Sequence, residues 1–181
     1  MVAALSRTDL TGAHTSSERC VGHIPVAQEL GIAVCRWSPF AGGLLSGKYK
    51  RQGDSGTGEG RLEKTKNHPI MNRFNERNWR VVDALTGVST ELGEPSAQVA
   101  LNWVATQRGV TSTIIGATKL PQLEDNLAAL DFTIPAELRR RLDEATALDP
   151  VHPYVFFQPA LQDMLTGGVP IEAWMPASLN S

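Results

Sequence analysis

Cysteine is nearly absent: Cys20 and Cys35 are the only two in 181 residues. So few leave no disulfide framework, and their separation has no metal-ligand spacing. Cys35 reads as a small buried thiol inside a strand. An excess of charge is lacking too, with 17 Lys and Arg against 19 Asp and Glu for a net charge of −2. That balance provides no electrostatic footprint for nucleic acid or an anionic membrane as partner. No apolar run approaches the ~18 residues of a membrane span. The opening MVAALSRTDLTGAHTSS has no basic region followed by an apolar one, as a secretory signal would. These absences predict a reduced, cytoplasmic protein. Its hydrophobic share of 41% is enough for one core, in a chain too short for two ordinary domains.

What is present is an alternation of short strands and helices. Residues 1–19 are small and polar without a period and read as an irregular segment, with the domain proper from 20 to 181. Ile24–Leu30 reads as the end of a helix stopped at Gly31, and Ile32–Trp37 as a strand covered on both faces. Ser38 to about Asn72 reads as one long loop, a length that points to function or disorder. Asn75–Leu92 has helical spacing, with Trp79, Val82, Leu85, Val88 and Leu92 on one stripe and Gly93 closing it. Pro95 opens a second helix through Ala105, burying Val99, Trp103 and Val104. Thr113–Ile115 is a short strand. Pro121 begins a third helix with Leu123, Leu127 and Leu130 facing inward. A fourth, from Pro135 to about Ala145, buries Leu138 and Leu142, and the Pro- and Gly-punctuated tail reads as irregular. Strands alternating with helices predict an α/β fold with parallel strands.

Two strand ends carry the chemistry. The first runs into WSPFAGGLLSGKY (Trp37 to Tyr49), where Ser-Pro stops the ladder, Gly42-Gly43 permits sharp turns and Lys48 supplies a cation. The second is IIGATKLPQLEDN (Ile114 to Asn126). Gly116 and Ala117 allow close backbone approach, and Thr118 and Lys119 stand before a helix whose free N–H groups favour an anion. Gln122, Asp125 and Asn126, at i, i+3 and i+4, project from one helical face suited to a nucleotide. Taken singly, each has a plain reading: a turn, a strand stop, a solvated face.

Together and in this order, they resemble the last two strand-to-loop segments of the aldo-keto reductase family, an eight-stranded β/α barrel. WSPxxxGxLxGKY is similar to the loop after its seventh strand and IIGAxxxxQLxDN to the region after its eighth. SGKY and the Gln-x-x-Asp-Asn spacing look most like the branch of general-stress reductases and potassium-channel β subunits. The likeness runs from about Glu18 to Ala147, extends through HPYVFF, and has no counterpart before Glu18. It implies a partial (β/α)8 barrel, the C-terminal portion, with about two parallel strands and four or more helices.

It also implies an NADP(H) site, since such barrels bind phosphate at the loops after strands seven and eight. By resemblance, Trp37 lies under the nicotinamide end, and Ser38, Pro39, Phe40, Ala41 and Gly42 wrap the pyrophosphate, with Phe40 where the family usually has Leu. Lys48 approaches the phosphates. Gly116 and Thr118 with Gln122 hold the 2′-phosphate side, Asp125 and Asn126 read adenine, and Arg61 stacks on it. The family's catalytic tyrosine, with its lysine, aspartate and histidine, belongs to the first half of the barrel and has no match. Of the two tyrosines, Tyr49 belongs to the GKY loop and Tyr154 to the tail, and His14, His23, His68 and His152 adjoin no carboxylate pattern. No catalytic or metal residue is therefore expected.

The expectation is the cofactor-binding portion of a reductase: a truncated product, a fragmentary gene or half of a split pair, inactive alone. A non-catalytic dinucleotide-binding or interaction module is the alternative, and a remnant without stable function a third. Too few strands for the helices predict self-association or a complementary half-barrel partner. Only the tail, with Tyr154, Phe156 and Phe157, is available to line a substrate pocket.

Overall fold

The computed structural model describes residues 2–3, 24, 26–53, 55–68, 72–147 and 159–169. Its centre is a parallel sheet in the order β1 (Val2–Ala3), β2 (Ala33–Trp37), β5 (Ser112–Ile114). The register sets Val2 beside Ala33, and Trp37 beside Ile114. Thr111 extends the β2–β5 pairing: its N–H donates to the Val34 carbonyl at 2.9 Å, and its Oγ1 accepts the Val34 N–H at 3.1 Å. A second, antiparallel pair is the hairpin of β3 (Lys50–Gln52) and β4 (Ser55–Thr57).

Local chemistry sets the helix ends. A short helix α1 (residues 26–29) stops at Gly31, whose φ of 63° lets the Ile32 N–H reach back to the Ala27 carbonyl at 2.7 Å. α2 (Arg61–Thr65) is a single short piece. α3 (Glu76–Leu92) starts where the Asn75 side chain accepts the Asn78 N–H at 2.9 Å, and ends at left-handed Gly93. α4 (Ser96–Ala105) and α6 (Ala136–Thr146) each follow a proline, while α5 (Leu120–Ala128) carries Pro121 in its first turn. α7 (Pro159–Thr166) is the last described element.

The core lies among the helices rather than on the sheet. Leu44 and Leu45 from a 3-10 segment (Ala41–Ser46) meet Trp79, Val81, Leu85 and Val88 of α3, Val99 and Ala100 of α4, and Leu142 of α6. Phe74 stacks on Trp79 at a centroid distance of 5.7 Å, and Tyr49 meets Phe74 edge-on at 5.6 Å. Buried Asn102 ties α4 to the far side of α5: its Nδ2 donates to the carbonyls of Ala129 and Phe132 at 2.8 and 2.7 Å.

The four expected helices and the two strands are present with ends within about two residues, the usual uncertainty of such boundaries. Five readings are corrected. Val2–Ala3 form a strand inside the segment expected to be irregular; two residues are too few to show a period, and their partner lies on β2. The rest of 1–19 lies outside the described residues. The expected loop from Ser38 to Asn72 holds the 3-10 segment, the hairpin and α2, with runs too short and polar to carry a pattern. Part of the expected irregular tail, Pro159–Thr166, is helical. Leu123 and Leu127 of α5 and Leu130 just beyond it are exposed rather than inward, Leu127 and Leu130 bordering an open cavity beside α4 and β5 instead of packing on them. The strand β2 likewise buries only Val34 fully.

Candidate functional site

The C-terminal ends of β2 and β5 open into a cleft of about 570 Å³. Such a volume suits a small-molecule or cofactor site. One wall is the backbone after Trp37. Ser38 and Ala41 hold φ of 59° and 50°, left-handed values rare outside glycine, and Gly42 and Gly43 follow at 72° and 100°. A non-glycine residue there costs about 1–3 kcal/mol, so the surroundings must enforce the conformation. They do so through the Ser38 carbonyl, which accepts the Ala41 N–H at 3.0 Å, and the Phe40 carbonyl, which accepts the Gly43 N–H at 2.8 Å. Ser46 Oγ donates to the Gly43 carbonyl at 2.7 Å, while Leu44 and Leu45 anchor the segment in the core. The Gly42 N–H makes only a long bond, 3.4 Å, to Ser38 Oγ.

Lys48 lies against this wall between two glycines. A Cβ on Gly43 would come within 3.0 Å of Lys48 Cε, and one on Gly60 within 2.9 Å of Lys48 Nζ. The ammonium stands 5.4 Å from the Tyr49 ring centroid. Arg61, the first residue of α2, also lines the cleft. Neither cation has a carboxylate partner among the described residues. The opposite wall is Ile114, Ile115 and Gly116 with Gln122, Asp125 and Asn126 of α5. A Cβ on Gly116 would meet no atom within 4 Å, so the glycine leaves open space at the strand end.

The cleft thus brings together Trp37, Ser38, Pro39, Phe40, Gly42, Lys48, Arg61, Gly116, Gln122, Asp125 and Asn126. Two expected residues do not line it. Ala41 is buried beneath the loop, where it shapes the backbone. Thr118 spends both donors on Gln122, its N–H and Oγ1 lying 3.0 and 3.2 Å from Gln122 Oε1. Gln122 therefore fastens the start of α5, a role its helical-face spacing did not reveal. Gly43 and Ser46 also line the cleft and were legible only as members of the WSPFAGGLLSGKY run. Ile114 and Ile115 complete the strand end. Ala97 comes from α4 through tertiary packing, with no signal in the sequence.

Tyr49 is buried, and its hydroxyl accepts the Leu62 N–H at 3.1 Å. Tyr154, Phe156, Phe157, His14, His23 and His152 lie outside the described residues, as does Cys20. Among the described residues no group of three or more His, Cys, Asp or Glu is placed to hold a metal, and no helix is long and apolar enough to cross a membrane.

Sequence comparison matches residues 19–147, well over half of the chain, to the aldo/keto reductase family. The chain belongs to the aldo/keto reductase family. That family's fold is a (β/α)8 barrel, and the parallel strands and surrounding helices described here are part of one without closing it. An uncharacterized oxidoreductase of Bacillus subtilis, YrpG, is 31% identical over 121 residues, covering 67% of this chain and 34% of its own length. A probable voltage-gated potassium channel subunit beta of Oryza sativa subsp. japonica is 37% identical over 109 residues, covering 60% of this chain and 33% of its own. An L-glyceraldehyde 3-phosphate reductase of Escherichia coli is 29% identical over 135 residues, covering 70% and 37%. This aldo/keto reductase chain spans about a third of the length of the curated relatives it matches.

Proposed function

We propose that the cleft is the dinucleotide site of a carbonyl reductase and takes NADP(H) in preference to NAD(H). The observation that carries this reading is the pairing of Lys48 and Arg61, two cations without a carboxylate partner among the described residues, with the left-handed backbone at Ser38, Ala41, Gly42 and Gly43. The donor set suits a phosphate ester: charge-assisted donors, a Gly42 N–H whose present bond is long, and a glycine wall that side chains would fill. In this reading Lys48 and the loop hold the pyrophosphate, and Trp37 backs the nicotinamide. The start of α5, with Gly116, Gln122 and the charge of Lys119 at its N-cap, faces the 2′-phosphate that NAD(H) lacks. Asp125, Asn126 and Arg61 hold the adenine. Thr118 acts indirectly, by fixing Gln122.

When bound, the dinucleotide supplies or accepts a hydride. The chain's own part is to bind and orient it. Among the described residues the tyrosine, Tyr49, is not placed to protonate a carbonyl, because its hydroxyl is buried against the Leu62 N–H. The chain alone is therefore a binding portion without turnover, whose open sheet face is completed by another half-barrel or a second copy. A non-catalytic dinucleotide-binding module shares the same cleft, and turnover of the completed assembly separates the two.

Calorimetric titration of the chain with NADPH and NADH tests the reading. NADPH is expected to bind about tenfold or more tightly, the scale of one charge-assisted contact, with no reduction of nitrobenzaldehyde above background. Equal affinities, a preference for NADH, or turnover by the chain alone would contradict it.

A further inference from the structure

Lys48 and Arg61 reach the cleft from different segments, and one buried side chain joins them. α2 has five residues and no side-chain cap at Gly60, so it cannot fix its own first turn. Tyr49 supplies what the helix lacks. Its ring is only 4% exposed, is held edge-on by Phe74, and directs the hydroxyl at the Leu62 N–H, 3.1 Å away. The surrounding space is filled. A Cβ on Gly60 would lie 2.4 Å from Tyr49 Oη, and one on Gly58 would lie 2.5 Å from the Lys48 carbonyl oxygen and 2.7 Å from Tyr49 Cδ1. Tyr49 itself does not line the cleft.

We propose that Tyr49 is a positioning residue: by holding Leu62 it aims the neighbouring Arg61 into the cleft beside Lys48. Both charges then stand ready before the ligand arrives, and their ordering is not subtracted from binding. This inference rests on the proposed dinucleotide site and deepens it. It also assigns a use to a tyrosine that performs no proton transfer here.

The test uses the full chain carrying Tyr49→Phe, which keeps the ring and its packing on Phe74. Hydrogen exchange at the Leu62 amide should quicken about tenfold or more while the α3 amides are unchanged. NADPH affinity should fall about fivefold to tenfold, the scale of one lost hydrogen bond. In an Arg61→Ala background, Tyr49→Phe should weaken binding no further, the non-additivity expected of residues acting through one another. Gly60→Ala, whose Cβ would come within 2.4 Å of the same hydroxyl, should reproduce the faster exchange at the Leu62 amide. The same fractional loss in both backgrounds would mean general loosening and overturn the proposal. A wild-type chain that binds no NADPH would overturn the functional reading instead. The positioning role would then be judged at the Leu62 amide, and equal exchange in wild type and Tyr49→Phe would overturn it.

Discussion

The helical layer and the strand layer of this protein bury their apolar residues to very different degrees. Trp79, Val88 and Val99 are all but sealed among α3, α4 and the 3-10 segment. On the other side Trp37 is 51% exposed, Ile114 46%, Leu127 55% and Leu130 61%. The residue types are alike, so hydrophobicity alone does not decide burial. α3, α4 and α6 have each other and Leu44–Leu45 to pack on, whereas β5 and α5 touch α4 on one side and the strand ends and α5 leave Trp37, Ile114 and Leu127 uncovered on the other. Each large side chain left in water forfeits roughly 1.5–3 kcal/mol, several of which rival the stability of a whole domain at about 5–15 kcal/mol. The cleft lies where the layers meet. Its loop wall is anchored in the well-packed half, and its strand-end wall belongs to the open half.

The largest expected effect of this asymmetry is on solution state. The chain should self-associate or melt without a sharp transition, read by size-exclusion chromatography with light scattering beside a thermal melt. A monomer of 19.6 kDa with a sharp, reversible melt would erase the difference between the layers. Next comes a paired substitution. Trp79→Ala should cost about 3–5 kcal/mol in denaturant titration of the helical layer's signal, while Leu127→Ala should stay within about 0.5 kcal/mol. Similar losses at the two positions would contradict the comparison.

Asn102→Ala should cost about 1–3 kcal/mol, because it strands the buried Ala129 carbonyl and the half-buried Phe132 carbonyl that its amide now satisfies. It should also loosen the link between the layers, read as faster exchange in residues 129–134. The smallest effect is expected at the hairpin. Arg51 pairs with Glu76 and stands 3.9 Å from Asp83, all well exposed, so Arg51→Ala should cost at most about 1 kcal/mol in a salt-sensitive way. A larger or salt-independent loss would show that the hairpin is part of the core.

The helical layer was the more legible half. Asn75, Gly93, Pro95 and Pro135 are local signals, and each marks a helix boundary within a residue or two. The hairpin was not legible, because Lys50–Gln52 and Ser55–Thr57 carry neither alternation nor β-branched runs beyond one threonine. The apolar stripe of α5 was readable as a stripe, but its exposure depends on what stands opposite, which no local pattern encodes. As residues lining the cleft, Trp37, Ser38, Pro39, Phe40, Gly42, Gln122, Asp125 and Asn126 were readable because they stand at or just after a strand end. The bonds of Thr118 to Gln122 were not legible because they are a matter of side-chain geometry, nor was Ala97, whose place in the cleft comes from helix packing.

The most direct test of the account is residue-resolved hydrogen exchange of the whole chain with and without NADPH. The account predicts slow exchange through α3 and α4 in both conditions. It predicts fast exchange through β2, β5 and α5 without the dinucleotide, slowed about tenfold or more around residues 38–48 and 116–126 when it is bound. Uniform protection of both layers without ligand, or no change at those two segments with saturating NADPH, would contradict it.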